Sequence, residues 1–198
     1  MLCNEAYFDV RFDGDSRSFA SLLGMADHSV ILYTFSKKFA MTGWRVGAAI
    51  GPKNVIDVIT TLNVNCESCT NQFVQWGALE ALSGDQSGPR QIMAARKGRR
   101  DAGWEMLNSI DGVHCLKPNA TFYLYPRVTD AAARKGLLNY ESLRRAVLQE
   151  TGVSMCTRQH FGPVLPHEED LYLRFAFSGI DTRDMIEGLG RHKVCVES

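Results

Sequence analysis

Short apolar runs and longer periodic stretches divide the 198-residue chain. Val30-Ile31-Leu32-Tyr33 and Val46-Gly47-Ala48-Ala49-Ile50-Gly51 lack a helical period, and each predicts a buried strand. Small residues in the second permit close packing. Ahead of them, residues 8–15 are polar and turn-rich, and 18–23 predict a short helical turn. Pro52 opens a helix that carries Val55, Ile56, Val58, Ile59 and Leu62 along one side. Phe73, Trp76, Gly77, Leu79 and Leu82 predict a second helix, which stops near Ser83-Gly84. A long basic helix follows over 90–110, with Arg99-Arg100-Asp101 expected on its exposed side.

The pattern then changes. Residues 113–116 and 122–125 predict strands, with Lys117-Pro118-Asn119 between them. Residues 142–150 predict a helix and 152–156 a strand. In Leu171-Tyr172-Leu173-Arg174-Phe175-Ala176-Phe177-Ser178, alternation places Leu171, Leu173, Phe175 and Phe177 on one face and Arg174 on the other. Asp181 is a good N-cap for a last helix running to about Val194. The fold class read from this order is an α/β segment over 1–90 and a smaller α+β unit over 91–198, joined by the long helix.

Composition excludes several functions. Lys plus Arg and Asp plus Glu are equal at 22 each, so no charge excess points to nucleic acid or an acidic membrane. No apolar run reaches the length of a membrane span, and the first residues lack the pattern of a signal peptide. The expectation is a cytoplasmic protein. Six cysteines are scattered at positions 3, 66, 69, 115, 156 and 195. Cys66 and Cys69 form a C-x-x-C, but no second pair completes a structural zinc site. The thiols are expected to be free and buried or half-buried, with no metal.

The most specific stretch is Thr34-Phe35-Ser36-Lys37-Lys38-Phe39-Ala40-Met41-Thr42-Gly43-Trp44-Arg45-Val46-Gly47. It resembles the lysine segment of fold-type I aminotransferases of class I/II, the aspartate aminotransferase type that uses pyridoxal 5'-phosphate (PLP). Ser36, Lys37, Ala40, Met41, Gly43, Arg45 and Gly47 carry the match. The chemistry agrees, since a lysine just past the carboxyl end of a buried strand points into the crevice where α/β proteins bind ligands. Desolvation beside other cations makes such an amine nucleophilic. Asn4-Glu5-Ala6-Tyr7 resembles the family's D-E-x-Y, with Asn4 in the aspartate's place. Tyr172-Leu173-Arg174-Phe175-Ala176-Phe177-Ser178 resembles the strand whose arginine holds a substrate carboxylate. Pro118-Asn119-Ala120-Thr121-Phe122-Tyr123-Leu124 is similar to a small-domain strand of the family. Gly152-Val153 and Phe161-Gly162 resemble the loop before the arginine strand, where His160 reads as loop structure.

The resemblance implies the C-terminal part of a PLP-binding large domain followed by the small C-terminal domain. It implies a PLP Schiff base on Lys37, which also shuttles the proton between the substrate's α-carbon and the cofactor. Lys38 is expected on the surface. Arg45 and Thr34 would bind the PLP phosphate, Tyr7 the ring's O3′ and Arg174 the substrate's α-carboxylate. Asn4 would face the pyridine nitrogen, and an amide supplies no charge to hold that proton. The implied activity exchanges an amino group between a 2-amino acid, aspartate or similar, and a 2-oxo acid, in a homodimer. Family members are about twice as long, so the phosphate-cradling helix start and further strands would precede Asn4. Two alternatives stay open: a truncated, non-catalytic remnant of such an enzyme, or a PLP-dependent β-elimination lyase.

Overall fold

The computed structural model describes residues 1–197, with side chains described through Val194. The chain forms two compact units, one of residues 1–93 and 119–121, the other of 94–118 and 122–198.

In the first unit, β1 (Leu2–Asn4), β2 (Val30–Thr34) and β3 (Gly47–Ile50) form one sheet in that order. β1 runs parallel to β2, with Leu2 opposite Val30 and Asn4 opposite Leu32. β3 runs antiparallel to β2, with Thr34 opposite Gly47. A Cβ at Gly47 would sit 2.7 Å from the Tyr33 carbonyl oxygen, so the close approach of these strands needs glycine there. α1 (Phe35–Lys38) follows β2 directly. α2 (Lys53–Cys66) starts after Pro52, and α3 (Gln72–Ser83) is capped by the Asn71 side chain, which accepts from Phe73 N–H at 3.2 Å.

Phe35, Met41 and Ala78 are the buried centre of this unit, with Tyr33, Phe39, Val46 and Ala81 packed around them. Phe35 meets Tyr33 edge-on at 5.4 Å and stacks with Phe39 at 5.8 Å. The helix expected over Val55 to Leu62 forms, but no residue of α2 is buried. Phe73, Trp76, Leu79 and Leu82 of α3 are also exposed. Of the α2 row, Ile56 is half-buried and Val55, Val58, Ile59 and Leu62 are exposed. Residues 119–121 return to it, where Thr121 N–H donates to Val10 O at 2.7 Å.

α4 (Ser87–Asn108) begins in the first unit and continues into the second. There follow β4 (Tyr123–Leu124), α5 (Thr129–Arg134), α6 (Tyr140–Thr151), β5 (Cys156–Thr157), β6 (Leu173–Ala176) and α7 (Thr182–Glu197). The sheet order is β4-β6-β5, antiparallel throughout. Leu173, Phe175 and Phe177 are buried on the face that alternation assigned them, among Leu107, Leu124, Met185 and Leu189 of the same core. α6 is capped by the Asn139 side chain and ends at Gly152, whose φ of 70° suits glycine.

Several sequence expectations shift here. The strand expected over 113–116 is reduced to one bridge, His114 with Arg127, and of the strand expected over 152–156 only Cys156 lies in β5. Cys115 N–H donates to Asn108 Oδ1 at 3.0 Å, and its carbonyl accepts from Trp104 Nε1 and Asn108 Nδ2. Those groups satisfy α4 side chains, so no ladder extends from them. Arg100, expected on the exposed side of α4, is buried. It pairs with Asp101 at 2.8 Å and donates to Pro118 O at 3.2 Å, which compensates the charge. Cys66 and Cys69 are exposed rather than buried, Cys3 and Cys156 are half-buried, and Cys115 is buried, its thiol pushed up to about 11 by desolvation. The Cys195 side chain lies outside the described residues. No helix among the described residues is long and apolar enough to cross a membrane.

His192 on α7 is buried, its Nδ1 has no hydrogen-bond partner among the described residues, and burial lowers its pKa from the ordinary 6.5. The folded form therefore favours the neutral ring. Its contribution is intact above the unfolded value and is lost as pH falls through the folded one. Urea unfolding between about pH 7.5 and about pH 5 is expected to show a His192→Leu slope shallower than wild type by at most about 1.4 kcal/mol per pH unit. Parallel slopes would remove His192 from the acid response.

Candidate active site

Parallel neighbours end on the same side of their sheet, and the chain leaves β1 and β2 together. Asn4 lies opposite Leu32, and Glu5 N–H continues the ladder by donating to Leu32 O at 3.0 Å. Tyr7 is reached three residues after Asn4 and Lys37 three after Thr34. Both therefore stand past the carboxyl ends of adjoining strands, where open α/β sheets bind ligands. Lys37 Nζ is 5.5 Å from the centroid of the Tyr7 ring, within reach of the ring's negative face.

α1 holds that lysine. Thr34 Oγ1 accepts from Ser36 N–H at 3.2 Å and donates to Ser36 Oγ at 3.0 Å, so the hydroxyl caps the turn. Phe35 and Ser36 are buried, which fixes the side of the turn that faces the core. Thr42 Oγ1 ties the following loop back by donating to Ser36 O at 3.2 Å.

Lys38 is not on the surface as expected. It is half-buried and pairs with Asp9 Oδ1 at 3.6 Å. Asp9 Oδ2 accepts from Tyr33 Oη at 2.8 Å. Burial and then Asp9 push the Tyr33 phenol up, so it stays protonated and keeps donating. Asp9 thus holds one lysine of the pair while Lys37 takes the side of Tyr7. The polar stretch over 8–15 reads only as a turn, and a contact spanning 24 residues leaves no local signal.

The remaining candidates of this unit are engaged with chain neighbours. Asn4 is exposed, and its Oδ1 accepts from Ala6 N–H at 3.2 Å. Arg45 is exposed and left-handed, at φ 54° and ψ 50°, and donates from Nη1 to Thr42 O at 2.9 Å. Ala40 is also left-handed at φ 55°. A left-handed conformation costs a side-chain-bearing residue about 1–2 kcal/mol and clusters at functional sites. Two such residues bracket the loop after Lys37, with Met41 buried between them as its anchor.

In the second unit, Arg174 faces away from the core strip of β6. Its guanidinium carbon lies 4.4 Å from the Tyr123 centroid and 4.5 Å from that of Phe161, and Nη2 donates to Cys156 Sγ at 3.5 Å. His160 belongs to the 3-10 turn Arg158–Phe161. Its Nδ1 accepts from Thr157 N–H at 3.1 Å and meets Thr157 Oγ1 at 2.9 Å. Glu168 holds Arg158 at 2.6 Å beside that turn. Tyr123, Cys156 and Phe161 were not singled out from the sequence. For Tyr123 and Cys156 the signal available was strand alternation, once the register of the three short strands is known, whereas Phe161 lies in a turn that alternation does not mark.

The model of the family described as aminotransferase class I and II matches residues 1–191. An aspartate aminotransferase of Geobacillus stearothermophilus is 35% identical over 134 residues, which are 68% of this chain and 34% of that protein. One of Streptomyces avermitilis is 34% identical over 177 residues, 84% of this chain and 40% of that protein. The crystal structure of an aromatic aminotransferase from Pyrococcus horikoshii OT3 superposes with a TM-score of 0.88 at 26% identity, over 99% of this chain and 50% of that one. The chain thus spans about half of that solved structure and 34–40% of those two curated relatives. A family pattern that reaches from Met1 to Arg191 takes in the lysine turn of one unit and the arginine strand of the other, and the chain belongs to the aminotransferase class I and II family.

Proposed function

We propose that this chain is the lysine-bearing part of a PLP-dependent aminotransferase that moves an amino group between a 2-amino acid and a 2-oxo acid. The observation that carries this reading is the stand of Lys37 Nζ over the Tyr7 ring at the carboxyl ends of two parallel strands, while Lys38 is held by Asp9. Aspartate is the amino acid favoured, because the Geobacillus and Streptomyces relatives are aspartate aminotransferases. 2-Oxoglutarate is the oxo acid proposed with it, and a homodimer the working form.

The donor set fits the cofactor at every group but one. An amine, a phenol, a guanidinium and a hydroxyl suit an aldehyde, a ring oxygen and a phosphate. Asn4 is the exception: it is a neutral amide whose oxygen already accepts from Ala6. PLP, when bound, supplies an aldehyde that takes up amines and a ring that draws electrons from the bond being broken. Lys37 Nζ holds the aldehyde and, as the free amine, moves the proton at the substrate's α-carbon. Tyr7 donates its phenolic hydrogen to the ring oxygen. Arg45 forks onto the phosphate, pre-set by its strained backbone. Thr34 adds its hydroxyl to that phosphate by turning its proton from Ser36. Arg174 takes the substrate's α-carboxylate.

Absorbance titration with PLP, followed by borohydride reduction and peptide mapping, tests this reading. The adduct is expected on Lys37, and Lys37→Arg is expected to abolish it. No adduct, or label spread over Lys38 and surface lysines, would contradict it. Arg45→Gly separates strain from binding. It removes the left-handed penalty and the phosphate fork together, so thermal stability should not fall while PLP affinity drops by about tenfold or more. Asn4→Asp restores a charge for the pyridinium proton, and single-turnover absorbance is expected to show amino-group transfer faster by about tenfold. An unchanged rate would place Asn4 away from the ring nitrogen.

A further inference from the structure

A planar guanidinium receives a carboxylate through a fork, either along its Nε/Nη2 side or across its Nη1/Nη2 end. In Arg174 the two edges differ. Among the described residues Nε has no hydrogen-bond partner, and it is buried from solvent. Nη2 donates to Cys156 Sγ at 3.5 Å. A side-on fork needs Nε, which is shut away from solvent, so the end formed by Nη1 and Nη2 remains.

The sheet explains how the thiol arrives there. Cys156 and Arg174 are directly opposite each other in the antiparallel ladder of β5 and β6, so their side chains share a face. Tyr123 pairs with Ala176 and lies diagonally across the same face, which brings its ring to 4.4 Å from the guanidinium carbon. Phe161 adds a second ring at 4.5 Å, carried by the turn that the Thr157 and His160 side chains lock. Two aromatic rings limit the tilt of the guanidinium, and neither limits its rotation in plane. The Cys156 sulfur is the acceptor that does so.

We propose that Cys156 is a positioning residue for Arg174, turning the guanidinium so that a carboxylate is received end-on, through Nη1 and the outer hydrogen of Nη2. This rests on the reading of Arg174 as the carboxylate-binding residue. The thiol accepts at sulfur and touches no substrate atom. A serine oxygen at the same place keeps an acceptor for Nη2. A valine fills the same space and offers none.

The test is a titration of the full chain with succinate, read by NMR of the nitrogen-15-labelled arginine side chains, with Arg174 assigned from its loss in Arg174→Gln. Wild type is expected to bind saturably, with the Nη signals of Arg174 moving more than its Nε–H. Cys156→Val is expected to weaken succinate binding about fivefold, as the loss of one typical intramolecular hydrogen bond does, and Cys156→Ser to stay within about twofold of wild type. Circular dichroism of each variant checks the fold. Equal affinity of wild type and Cys156→Val, or the largest shift on the Arg174 Nε–H, would overturn the positioning role and leave the carboxylate reading in place. Arg174→Gln binding succinate as wild type does, or wild type not binding it at all, would overturn the carboxylate reading itself. The wild-type Nε–H result decides the end-on geometry even where a Cys156 variant fails to fold.

Discussion

The parallel pairing of Leu2–Asn4 with Val30–Thr34 is the constraint from which the candidate site follows. Parallel strands must both end on one side of a sheet, so the segments after them share that side without any further device. Tyr7 and Lys37 meet there although they are thirty residues apart in the chain. The antiparallel partner β3 closes the other edge of β2 and returns the chain through Arg45. Gly47 permits that return, because any side chain would strike the Tyr33 carbonyl.

Choice between the two adjacent lysines is made by a charge rather than by the backbone. Asp9 takes Lys38 and the Tyr33 hydroxyl together, and the half-burial of that pair makes it worth more than an exposed ion pair. The loop that follows stores strain at Ala40 and Arg45, held down by Met41 in the core. Such strain persists only where packing over-determines it. In the second unit a different device serves Arg174. Strand register alone places a sulfur beside it and a ring diagonal to it, while a turn closed by two side chains adds another ring.

Periodicity made most elements legible. The runs at Val30 and Val46, the helical rows after Pro52 and Asn71 and the alternation around Arg174 all correspond to elements that form, but neither strand is buried as its apolar run implied: β2 is half-buried with Leu32 exposed, and β3 is exposed apart from half-buried Ala49. What stayed hidden depended on side-chain partners and element lengths that no period marks. Residues 113–116 have the composition of a strand, yet Asn108 and Trp104 use the backbone groups of Cys115. Arg100 reads as a surface charge, yet Asp101 and the Pro118 carbonyl make it a core residue. α5 is six residues long, too short for a helical period to show. α2 carries the apolar row of a packed helix and buries none of it, so its pattern described the helix without locating a neighbour. The asparagine in the family's aspartate place at position 4 was visible at once, because a single residue type decides that chemistry.

The central claim is that the two strand ends hold the Lys37 amine over the Tyr7 ring. Nuclear Overhauser measurement on a chain labelled selectively at lysine and tyrosine tests it without any cofactor. Cross-peaks from the Lys37 side-chain methylenes to the Tyr7 ring protons, with ring-current shifts that vanish in Tyr7→Leu, are the result this account requires. Cross-peaks from Lys38 instead, or none from either lysine, would contradict it.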